Sequence, residues 1–156
     1  MRYRNLHGTN LQLSELGFGT WTLTTGWWGN YTDDDARRLI AAVLRGVGYT
    51  VAEARDGVEA LDKVASTVSS RQESPFAALV SDVDMPGLSG LDVIAALRCS
   101  KLDTPVVLVT GTGDADTRSE AAQLGVSAYL EKPVRAESLR RAVERAVAAG
   151  PGRCGA

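Results

Sequence analysis

Phe76 to Ile94 reads FAALVSDVDMPGLSGLDVI, and its division into elements decides the fold. The opening six residues, FAALVS, are apolar almost without a break, which suits a strand buried on both faces. Asp82 stands immediately past that strand, and a helical pattern runs from Leu91 to Arg98. Outward from this unit the same alternation repeats. The spacing predicts a helix from about Asp34 to Val47, strand YTVAEA, a helix from Val58 to Val68, and, beyond the quoted unit, strand PVVLVT. It goes on with a helix near Thr117 to Leu124, strand SAYLE and a helix from Glu137 to Ala149. Strands separated by helices imply right-handed βαβ crossovers and a parallel sheet covered on both faces.

The bulk properties set the outer limits. With 156 residues the chain can bury one proper core, and it falls well below the roughly 250 residues of an eight-fold α/β barrel. An apolar fraction of 44% and a formal charge of −2 give no basic excess that would point to a nucleic-acid or membrane surface. No run is apolar and long enough to span a bilayer, and the N-terminus lacks the basic-then-apolar form of a signal peptide, so a cytoplasmic chain is expected. Cys99 and Cys154 have neither a metal spacing nor a disulfide framework and read as free thiols. The only histidine, His7, reads as structural or exposed. The motifs GTGDAD and GFGTW do not complete a dinucleotide-binding fingerprint and read as turns.

In a doubly covered parallel sheet, ligands collect at the carboxyl ends of the strands, where strand order reverses. Three residues just past or at such ends carry chemistry: Asp82 after ALVS, Thr110 ending VVLVT, and Lys132 after AYLE. Singly, each has a bland reading, the aspartate as a cap and the lysine as a solvated charge. The combination is more telling. A carboxylate can attack phosphorus, a hydroxyl and an ammonium can hold its equatorial oxygens, and a divalent cation held by further acids can neutralise the remaining charge.

The segments LVSDVDMPGLSGLDVI, PVVLVTGTGD and AYLEKPV, in that order and at those separations, resemble the receiver domain of two-component response regulators, over about residues 37–149. The resemblance implies a flavodoxin-like (βα)5 fold with sheet order 2-1-3-4-5. It implies that Asp82 accepts a phosphoryl group from a phosphohistidine, that Thr110 and Lys132 contact its oxygens, and that the backbone carbonyl of Asp84 contributes to Mg2+. Tyr129 becomes the aromatic whose rotamer follows Thr110, and Pro133 the residue of a cis peptide that fixes the turn carrying Lys132. Gly111 leaves an open approach to the phosphoryl group, and the charge of Asp84 acts on the lifetime of the acyl phosphate. The donor implied is a histidine kinase or a histidine phosphotransfer protein, with a further protein downstream.

Residues 1–36, which include YRNLHGTNLQLSELGFGTWTLTTGWWGNYTDDDA, resemble instead the opening of an aldo-keto reductase, with its N-terminal hairpin and first barrel strand. The alternating LQLSEL suits a hairpin. Most of that barrel, with its catalytic Tyr, Lys and His, has no counterpart, so a reductase is not expected. The division read from the sequence is a leader at 1–32 that supplies an atypical first strand, a receiver at 33–149 and a flexible tail at 150–156, with no output domain.

In receivers the central strand ends directly in an acidic pair that holds Mg2+. Here GWWGNYT precedes Asp33, Asp34 and Asp35, and Gly26, Gly29 and Asn30 are poor central-strand residues. Two registers stay open: the chain slips so that Asp33 and Asp34 both reach the metal, or Asp33 alone does. The first is preferred, because aspartates favour a helix N-terminus in either register and little else supplies ligands. The function expected is Mg2+-dependent phosphoryl acceptance at Asp82, with any catalysis limited to the chain's own phosphorylation and dephosphorylation. The alternative is a non-phosphorylated pseudo-receiver that only binds proteins.

Overall fold

The computed structural model describes residues 15–19, 33–67, 76–111, 114–132 and 134–150, with the backbone alone described for 15–19 and 33–36. In chain order the elements are β1 Glu15–Gly19, α1 Asp33–Gly46, β2 Thr50–Glu53, α2 Gly57–Thr67, β3 Ala78–Asp82, α3 Gly90–Cys99, β4 Val106–Thr110, α4 Ala115–Gln123, β5 Ala128–Glu131 and α5 Ala136–Ala149. All strand pairings are parallel, and the order is β2-β1-β3-β4-β5. From α1 onward the elements fall where the apolar pattern puts them.

The first strand differs from the sequence reading in two respects. GFG was read as a turn, yet Gly17, Phe18 and Gly19 lie inside β1, with Leu16 to Phe18 paired to both β2 and β3. Glu15 and Leu16, read as part of a hairpin, are in the same parallel strand. The reason is context. A central position supplies hydrogen-bonding partners along both edges, and β-propensity yields to that environment even where alternate residues are glycine. Residues 20–32, which include Trp27 and Trp28, lie outside the described residues, as do 1–14 and the tail from 151.

Two apolar layers sandwich the sheet, and β3 supplies both. Ala78 and Val80 pack with Ala41 and Leu44 of α1 and Leu139 and Val143 of α5. Leu79, between them, faces Val93, Ile94 and Leu97 of α3 and Ala121 of α4. This two-sided burial explains why the strand shows no apolar–polar alternation. Each fully buried Leu, Ile or Val stabilises the fold by about 1.5–3 kcal/mol relative to exposure.

At the β2 edge, Arg45 donates to Val51 O at 3.3 Å and Lys63 donates to Glu53 O, while Glu53 pairs with Arg37 at 3.1 Å and Arg45 at 2.8 Å. Cationic side chains on edge carbonyls discourage pairing with another strand. Opposite the carboxyl edge, Arg98 gathers four carbonyls, those of Leu102 (2.8 Å), Thr104 (3.1 Å), Leu124 (3.1 Å) and Gly125 (3.4 Å). It thereby ties the end of α4 to the end of α3.

Candidate functional site

Strand order reverses between β1 and β3, and their register places Gly19 opposite Ser81. The next residue of β3 is Asp82, 1% exposed, at the position where this class of sheet opens to ligands. Its backbone is fixed from three sides. It pairs with Val109 of β4, and Val83 N–H donates to Val109 O at 2.9 Å. The Ser81 hydroxyl donates to Asp82 O at 3.1 Å. Gly90, the first residue of α3, lies so close that a Cβ built on it would stand 2.1 Å from Asp82 O.

The Asp82 carboxylate is held by both oxygens. Asp84 N–H donates to Oδ1 at 3.1 Å, and Lys132 Nζ lies 2.5 Å from Oδ2. A carboxylate taken out of water needs such partners, because an uncompensated buried charge is strongly destabilising. Lys132 follows β5 directly, and its own N–H donates to Thr110 O at 2.7 Å. Thr110, fully buried, ends β4 one residue past the partner of Asp82. Gly111 is exposed, and a Cβ there would come only to 4.0 Å from Lys132 Cδ, so the approach in front of the ammonium is not blocked from this side. Carboxylate, hydroxyl and ammonium are thus set on three adjacent strand ends.

Asp84 is exposed. Tyr129 lies on β5 opposite Leu108, and Thr110 opposite Glu131, so Tyr129 and Thr110 are diagonal neighbours on one face of the sheet. Asp33 opens α1, and since α1 runs back from the carboxyl edge toward β2, the topology places Asp33 and Asp34 at the edge where Asp82 lies. Their side chains, and Pro133, lie outside the described residues. Among the described residues no cluster of three or more His, Cys, Asp or Glu is placed to hold a metal. The donors described at this edge, the Asp82 carboxylate and the Asp84 carbonyl, are hard oxygens, the type that suits Mg2+.

Sequence reasoning passed over Gly90 and Ser81. The S-x-x-D pattern at the start of α3 could have marked the first. Ser89 accepts from Asp92 N–H at 3.1 Å, and Asp92 accepts from Ser89 N–H at 2.8 Å, a reciprocal cap that seats Gly90 against Asp82. The Ser89 hydroxyl first, and then its N–H, hold the Asp92 carboxyl below its ordinary value. A folded pKa below the unfolded one contributes stability that is present above the ordinary carboxylate value and is lost as pH falls from there through the lowered one. Asp92→Asn is therefore expected to have a lower urea midpoint than the parent at pH 7, with the gap closing below about pH 4. A gap of constant size down to pH 3 would show that the charge of Asp92 is not what closes the cap.

A sequence model of the response regulator receiver domain matches residues 32–144. The chain is 38% identical over 112 residues to the chemotaxis protein CheY of Pseudomonas aeruginosa, covering 70% of this chain and 85% of that one. It is 30% identical over 115 residues to the transcriptional regulatory protein FixJ of Bradyrhizobium diazoefficiens, covering 74% of this chain but only 54% of FixJ. Among solved structures, a response regulator receiver domain protein from Clostridium thermocellum superposes with a TM-score of 0.70 at 24% identity, over 88% of this chain and 96% of that one. A CheY-like receiver from Methanospirillum hungatei does so with a TM-score of 0.69 at 19% identity, over 88% and 96%.

Proposed function

The chain belongs to the response regulator receiver domain family, the phosphoacceptors of two-component systems, and on that premise we propose that its acceptor is Asp82. The observation that carries the assignment is the buried carboxylate at the strand-order reversal, paired with Lys132 from the end of β5, two strands away. One Asp82 oxygen attacks the phosphorus of a phosphohistidine on a histidine kinase or phosphotransfer protein. The new O–P bond forms as the P–N bond breaks, and the electron pair leaves on the donor imidazole, which takes up a proton. Asp84 N–H and the strand ladder keep the attacking group in place, so little motion is needed to reach an in-line geometry. Lys132 and Thr110 meet the transferred oxygens, and the ammonium offsets the charge that Asp82 gains.

Mg2+, when bound, would neutralise the remaining phosphoryl charge. Asp82, the Asp84 carbonyl, Asp33 and Asp34 are the residues that would hold it, and all lie at the carboxyl edge by topology. Asp35 is one residue farther into the helix and acts chiefly on its dipole. Titrated calorimetrically with Mg2+, Asp33→Ala and Asp34→Ala are each expected to bind about tenfold or more weakly than the parent, and Asp35→Ala nearly as well. Parent-like binding by the first two would move the metal site elsewhere.

The pseudo-receiver reading is favoured only where the atypical first strand costs the metal site; β1 is seated between β2 and β3, which supports the phosphoacceptor reading instead. We read residues 1–32, nearly all ahead of the family match, as a grafted leader of aldo-keto-reductase form whose barrel strand serves as β1. No helix among the described residues is long and apolar enough to cross a membrane; the site of action we propose is cytoplasmic, with a protein as the downstream target. Incubation with acetyl phosphate and Mg2+ followed by intact-mass measurement tests the reading. The mass of one phosphoryl group should appear, and an unchanged mass would defeat it.

A further inference from the structure

Tyr129 packs with Leu124 and Val126 against the apolar layer that includes Ala121 of α4. Its hydroxyl is buried and has no hydrogen-bond partner among the described residues. A buried unpaired hydroxyl favours any rotamer that reaches water, so something must hold the ring inward. The guanidinium of Arg118, on α4, lies over the ring at 5.0 Å from its centroid. The same guanidinium pairs with Glu131 at 2.5 Å, and Glu131, two residues along β5, is on the same face of the strand as Tyr129. The ring's π face attracts the cation, and the carboxylate fixes its direction. Arg98 ties the far end of α4 to α3, and Arg118 joins α4 to β5.

We propose that Arg118 is a positioning residue: held by Glu131, it keeps Tyr129 in its inward rotamer in the unmodified chain and so sets how readily that ring moves. The role deepens the proposed function and rests on it for the signalling consequence. The claim about the ring concerns the unmodified protein. Arg118 and Glu131 are 60% and 56% exposed, so their replacement leaves the core untouched, and a merely structural role would not shift the rotamer of a neighbour.

The test uses the full chain labelled with 3-fluorotyrosine at its four tyrosines, with the Tyr129 fluorine signal assigned by its loss in Tyr129→Phe. Broadening of that signal by a soluble paramagnetic agent reports exposure of the ring. Arg118→Gln should raise the exposed population about two- to fivefold, Arg118→Lys should restore most of the inward state, and Glu131→Gln should add nothing in the Arg118→Gln background. A Tyr129 signal unchanged in Arg118→Gln overturns the proposal. Adding acetyl phosphate and Mg2+ to the parent separates the two readings. If the signal stays in place there but still responds to Arg118→Gln, the link to phosphorylation fails while the positioning role stands.

Discussion

Asp82→Asn gains no phosphoryl mass from acetyl phosphate and Mg2+ under conditions in which the parent gains one group, and it remains folded. The amide has the shape of the carboxylate but no anionic oxygen to attack phosphorus, and among the described residues no other aspartate at this edge is held by both an ammonium and a backbone N–H. The stability change has a sign and a size. Asparagine can still accept from Asp84 N–H through its carbonyl, while Lys132 loses its charged partner. The lysine side chain is 11% exposed, and its flexible stem can turn the ammonium toward water, so the loss is expected at about 1–3 kcal/mol. The reverse removal is worse. Lys132→Met takes the ammonium from a carboxylate that is 1% exposed, at about 3–5 kcal/mol. Urea denaturation of the two variants should rank them in that order. Equal losses would mean that the ion pair is not what compensates the burial of Asp82, and phosphorylation of Asp82→Asn to parental extent would reject it as the acceptor.

The parts of this molecule that were legible in the sequence are those in which one residue's environment follows from its neighbours in the chain. Val106–Thr110 and Ala78–Asp82 are buried on both faces, so their apolar runs and the polar residues that end them announce strands and a carboxyl-edge site together. Glu15–Gly19 announced nothing of the kind. Its glycines argue against a strand, and it becomes one only because β2 and β3 lie on either side to pair with it. The proposed reading of this segment as a first barrel strand would account for that fit, since a strand that pairs in parallel on both sides in one α/β sheet meets the same demands in another. Arg118 was illegible for a similar reason. Its partners, Tyr129 and Glu131, belong to a different element, and only the packing of α4 beside β5 makes an arginine on an otherwise weakly patterned helix meaningful.

Gly90→Ala should be the most damaging single-methyl addition in the chain's described turns, because nothing around it can yield cheaply. Its Cβ would stand 2.1 Å from Asp82 O, 2.9 Å from Asp82 C and 3.1 Å from Ser81 Oγ. Backbone atoms cannot change rotamer, so α3 must back away from β3. Such a shift strains the Gly90 N–H bond to Val83 O at 3.0 Å and pulls on the Ser89–Asp92 cap that precedes it. Overpacking alone costs about 1–3 kcal/mol, and a lost buried hydrogen bond adds about 1–3, a large share of a total near 5–15 kcal/mol. The acceptor moves as well, since Asp82 is the residue being pushed, so phosphorylation by acetyl phosphate should slow in whatever fraction remains folded. Gly87 provides the contrast within the same loop. It has φ +80 with nothing within 4 Å of a Cβ, so Gly87→Ala meets only the left-handed backbone penalty of about 1–2 kcal/mol. Urea midpoints should therefore fall farther for Gly90→Ala than for Gly87→Ala, and only the former should slow phosphorylation of the folded fraction. If the two fall equally and both phosphorylate at the parental rate, the first turn of α3 slides freely over β3, and the close approach of Gly90 does not hold Asp82 in place.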